Sequence, residues 1–85
     1  MYHEYVTAST VRTHLEERSD VRKVLLNQTT ENHVFELYFD VLSEDKRDEI
    51  NRELELYDPH LQRETTSSGE EYLRVEIREE LLMAR

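Results

Sequence analysis

Two stretches of this chain alternate apolar and polar residues, and two others carry apolar residues at helical spacing. From 35 to 41, Phe35, Leu37, Phe39 and Val41 point one way, with Glu36, Tyr38 and Asp40 the other. Period-two alternation marks a strand with one buried and one wet face. Upstream, Val21 to Gln28 is rich in β-branched residues and leucine, and Thr29-Thr30-Glu31-Asn32 is polar and turn-like. Residues 21–42 therefore read as a β-hairpin. A second hairpin follows the same logic. Leu61 to Thr66 is a weak, polar strand suited to a sheet edge, and Thr66-Ser67-Ser68-Gly69 supplies the turn. Leu73, Val75 and Ile77 then alternate with Tyr72, Arg74, Glu76 and Arg78.

Helical spacing appears twice. Ala8, Val11 and Leu15 form one stripe, which predicts a helix over about 9–18 capped by Thr7 or Ser9, or one that starts as early as Tyr2. Ile50, Leu54 and Tyr57 form the other. Ser43 is the expected N-cap, Glu44 and Asp45 favour the positive helix end, and Asp48 and Arg52 sit four apart as an ion pair. Asp58-Pro59 ends this second helix, so it should span 44–57. Before the first helix, Tyr2, Glu4 and Val6 alternate with His3, Tyr5 and Thr7, a pattern compatible with a weak strand.

The predicted architecture is one α+β domain over residues 1–85: a four- to five-stranded antiparallel sheet of two hairpins, with both helices on one face. Its order of elements is ferredoxin-like. The likeness is one of order only and carries no function. The other sheet face should display Glu36, Tyr38, Asp40, Tyr72, Arg74, Glu76 and Arg78.

Composition refines this picture. Leu, Ile, Val and Phe number 22 of 85 residues, above the one-fifth or so below which a highly charged chain stays disordered. Twenty acids face eleven bases, for a net charge of −9, and only Lys23 and Lys46 are lysines. Acid excess with scarce lysine points to a protein adapted to molar salt, where the Debye length falls to about 3 Å and self-repulsion fades. The plainer alternative is an acidic protein that happens to be poor in lysine.

Absences exclude several chemistries. Without cysteine there is no disulfide, thiol nucleophile or Cys-based metal site. A single glycine cannot build a dinucleotide fingerprint or a P-loop. No apolar run reaches the ~18 residues of a membrane span, and the first residues lack a signal-peptide pattern, so the expected location is the cytoplasm. His3, His14, His33 and His60 share no metal-ligand spacing, although they could converge in space with Glu4 or Asp58. The doublets Glu16-Glu17, Glu70-Glu71 and Glu79-Glu80 read as solvated faces rather than acid–base pairs. Arg12, Arg18, Arg22 and Lys23 form the densest basic stretch, but Glu16, Glu17 and Asp20 interrupt it, which argues against nucleic acid.

Tyr38, Tyr72 and Arg74 on the outer sheet face, with the apolar cluster Leu81-Leu82-Met83, are the candidate interface. The leading expectation is a non-enzymatic interaction or regulatory module that self-associates, with no cofactor. Two alternatives stay open: a small metal- or ligand-binding protein or enzyme using histidine and carboxylate groups, and a nucleic-acid-associated regulator.

Overall fold

The computed structural model describes residues 7–82. The proposed N-terminal strand, His3 and Met83 lie outside them. Helix α1 (Ala8–Glu16) leads into β1 (Val21–Gln28) and β2 (Asn32–Phe39); α2 (Glu44–Glu53) leads into β3 (His60–Thr65) and β4 (Glu71–Arg78). Short 3₁₀ turns follow α2 at Glu55–Tyr57 and β4 at Glu79–Leu81. The four strands form one sheet in the order β1-β2-β4-β3, every neighbouring pair antiparallel. The α+β class and the two hairpins match the sequence pattern, and the described elements follow the ferredoxin-like order from its first helix onward. The chain is thus a helix and hairpin used twice, and the two halves join where β2 meets β4.

Both helices cover the same sheet face. Ala8, Val11 and Leu15 of α1, and Ile50 of α2 with Leu54 at its end, share one buried cluster with Val24, Phe35, Leu37, Phe39, Leu61, Leu73, Val75 and Ile77. Strand pairing aligns these side chains: Phe35 sits opposite Val75 and Leu37 opposite Leu73, with Val24 beside Leu37. Phe35, Leu37, Leu73, Val75 and Ile77 have no solvent exposure. Burial on this scale is the main favourable term in folding.

Local chemistry sets the boundaries. Thr7 is extended and its Oγ1 accepts from the Thr10 amide at 3.0 Å, so α1 begins at Ala8 and not at Tyr2. That helix stops at Glu16, earlier than expected, because residues 17–20 turn the chain and the Val21 amide bonds the Arg18 carbonyl. Ser43 caps α2 as predicted, accepting from the Lys46 amide at 3.4 Å. Regular α-helix gives way after Glu53 to the 3₁₀ turn, and Asp58 ends it in a left-handed conformation at φ 51°. Asp48 lies 3.7 Å from Arg47 rather than pairing with Arg52.

One side chain departs from the predicted core. Val41 is 73% exposed, because β2 ends at Phe39, opposite the first residue of β1, and nothing pairs beyond it. In the second hairpin turn, Gly69 adopts φ 92°, a conformation that disfavours any residue with a Cβ.

Candidate functional site

Alternation along four paired strands builds a second face opposite the helices. Its rows follow from register. Lys23 of β1 pairs with Tyr38, whose ring lies 5.1 Å from that of Tyr72; Tyr72 in turn pairs with Glu64 on β3. In the next row Leu25, Glu36, Arg74 and Gln62 lie side by side. Asn27, Val34, Glu76 and His60 form the third. The expected grouping of Tyr38, Tyr72, Arg74, Glu36 and Glu76 is therefore present. Asp40 is not part of it, since it lies past the end of β2.

The face is more tightly tied than the sequence suggests. Tyr38 is only 4% exposed. Its hydroxyl donates to Glu36 Oε1 at 3.2 Å, its ring packs on Tyr72, and Lys23 Nζ stands 4.6 Å above the ring centroid. The last contact is a cation–π pair. Burial, then the bond to Glu36, pushes the Tyr38 phenol above its ordinary pKa; burial and the nearby Glu36 charge do the same to Tyr72. Both phenols thus stay neutral over the physiological range. Arg74 donates to Glu76 at 2.6 Å, and Asn32 donates to the other Glu76 oxygen at 3.1 Å. Lys23, Leu25, Gln62 and His60 are exposed around this tied centre.

Charge separates this face from the rest of the molecule. Its strand residues carry Lys23, Arg74 and Arg78 against Glu36, Glu64 and Glu76, a balance of zero. The acid excess of the described residues therefore lies off the face. Arg22, the extra residue where the β1–β2 register shifts, is paired with Glu70.

Leu81 and Leu82 of the C-terminal cluster fold back on their own domain. Leu82 is 7% exposed and belongs to the core, and Leu81 packs partly against it.

A second constellation sits at the base of the helices. Arg18 donates to both oxygens of Asp20 at 3.0 and 2.9 Å, to Glu49 at 2.6 Å and to Glu53. Lys46 reaches Asp20 at 2.6 Å, and His14 approaches Glu53 at 3.3 Å. Arg18, first, and Lys46 hold the Asp20 carboxyl down at about 2, and Asp20 in return raises the pKa of both cations. The network joins the end of α1 to α2 around the Asp20 carboxylate, as a structural joint. It also takes up Arg18 of the basic stretch, while Arg12 pairs with Glu16 at 3.3 Å.

The histidines are dispersed. His14 is at this joint, His60 is on the outer face, and His33 is buried on the core side of β2, where its Nε2 has no hydrogen-bond partner among the described residues. Among the described residues no group of three or more His, Asp or Glu is placed to hold a metal ion. A cleft of about 230 Å³ lies between the helices, bordered by Val11, His14, Glu53, Leu54 and Tyr57.

Sequence reasoning missed Arg18 and Lys23 as structural groups. Strand parity would have found Lys23, which falls on the same side of β1 as Leu25. Arg18 left no local signal, because Glu49 and Glu53 lie 31 and 35 residues away. No helix among the described residues is long and apolar enough to cross a membrane. Comparison with known protein families, with curated proteins and with solved structures finds no match.

Proposed function

We propose that this domain is a non-enzymatic interaction module that self-associates through the outer face of its sheet, in the cytoplasm of a salt-adapted organism. The observation that carries the reading is the neutral, tyrosine-bearing sheet face on a chain of net charge −9. Two copies approaching by their acidic sides repel each other, whereas approach by a balanced face brings no net like charge together. Tyr72 and Arg74 are half-buried there, and both residue types favour interfaces because they combine apolar area with a polar handle.

Light scattering in about 2 M KCl, where charges are screened within a few ångströms, tests the reading. A dimeric mass is expected, and a monomer at every accessible concentration would overturn it. Tyr72→Glu should split the dimer and leave the circular dichroism spectrum unchanged. Tyr38 is unsuitable for this test because it is buried.

A further inference from the structure

The charges on the outer face are arranged as well as balanced, and we infer that a second copy docks about a two-fold axis lying in the interface, close to the strand direction and midway between β2 and β4. This deepens the self-association reading and rests on it. Such an axis places β1 of one copy over β3 of the other and β2 over β4, while each row meets its own counterpart. In an isologous interface of this kind every contact occurs twice.

The rows fit that operation. Lys23 and Glu64 end the first row, so each Lys23 meets Glu64 of the second copy. Between them Tyr38 lies over Tyr72 of the second copy and Tyr72 over its Tyr38; with Tyr38 only 4% exposed, Tyr72 supplies the accessible aromatic surface near the axis. In the second row Glu36 meets Arg74 of the second copy and Leu25 meets Gln62. In these two rows the pattern is antisymmetric across the midline, a cation on one side having an anion at the mirror position; in the rows beyond, Glu76 meets Val34 and Arg78 meets Asn32, so no like charges are brought together. A two-fold axis perpendicular to the strands would instead set different rows against each other and lose this matching. Packed sheets lie about 10 Å apart and are turned by about 30°, a displacement that long Lys, Glu and Arg side chains can span.

The size of the face bounds the affinity. Three strands of eight residues and one of six, at about 3.3 Å per residue and about 4.8 Å between strands, give somewhat under ~500 Å² per copy. Doubled, this is near the lower limit for a specific interface. The dimer is therefore a reversible one.

Charge reversal with mixing tests the axis. Lys23→Glu alone sets Glu against Glu64 twice in a homodimer, and Glu64→Lys alone sets Lys against Lys23 twice. An equimolar mixture of the two variants restores two opposite-charge pairs. Sedimentation over about 0.3–2 M KCl should show each single variant associating at least about tenfold more weakly than the wild-type chain, with the mixture recovering most of that loss as a heterodimer. The pair Glu36→Arg and Arg74→Glu should behave alike, which guards against one variant folding poorly. Single variants that weaken association without rescue on mixing would overturn the axis. Variants that dimerise like the wild-type chain would overturn it too, leaving self-association to another surface such as the β1 edge. A monomeric wild-type chain would overturn the underlying reading.

Discussion

Asp20 presents both carboxylate oxygens to the guanidinium of Arg18, at 3.0 and 2.9 Å, in a two-pronged pair that also receives Lys46. Folding holds this carboxyl at about 2, below its ordinary value of 3.8, mainly through the Arg18 bonds. A group with a lowered folded pKa binds fewer protons folded than unfolded, so its contribution is complete above about pH 4 and lost as pH falls toward 2. With the Asp20 side chain 24% exposed, screening diminishes the effect to about 1–2 kcal/mol. Asp20→Asn should cost about that much near neutral pH and flatten the acid limb of the stability curve between pH 4 and 2. Urea titrations across pH measure both.

His33 offers the opposite case, a polar atom whose loss should help. Its Nε2 is buried and has no partner among the described residues. Replacing such a group with an apolar one of similar size is neutral to stabilising, by about 1 kcal/mol at best. His33→Leu should therefore hold or raise the melting temperature, by up to about 4–8 °C in a domain this small. A fall of several degrees would mean that the imidazole makes an interaction the geometry does not contain.

Phe35 and Val41 are six residues apart and of the same predicted parity, yet they should respond very differently. Phe35 is fully buried, and Phe35→Ala should cost about 3–5 kcal/mol, a large share of the roughly 5–15 kcal/mol that holds a domain folded. Val41 is 73% exposed, so Val41→Ala should stay within about 0.5 kcal/mol. Thermal melts of the two variants distinguish a core position from one beyond the strand end.

That contrast shows what the sequence can convey. Phe35, Leu37, Phe39, Leu73, Val75 and Ile77 are legible because a strand displays its buried face every second residue. Val41 continues the alternation but not the strand, since β1 starts at Val21 and leaves it no partner. Burial of Tyr38 was equally hidden. It depends on Tyr72, 34 positions along the chain, and on the stem of Lys23 folding over the ring. The acidic and basic residues gave no hint of the Arg18 joint because it is assembled by tertiary packing.

Salt should strengthen self-association. The net −9 of each copy acts over distances that the ~10 Å Debye length at 0.1 M leaves partly unscreened and the ~3 Å length at 1 M removes. Close pairs such as Lys23 with Glu64 of the second copy, once desolvated, are screened far less. The dissociation constant should fall by about tenfold or more between 0.1 and 1 M KCl, as read by sedimentation equilibrium. A constant that rises with salt would show attraction, not repulsion, as the dominant long-range term.

The meeting of β2 with β4 also shapes how the chain reaches its native state. Each hairpin closes over a few residues and is expected to form within microseconds, but Phe35 finds Val75 only after 40 residues have been drawn together. Until that seam closes, each half exposes an unprotected strand rim of Phe35 and Leu37 or of Leu73 and Val75, the kind of margin that recruits other chains. The last step of assembly is thus also the one that guards the protein from aggregation.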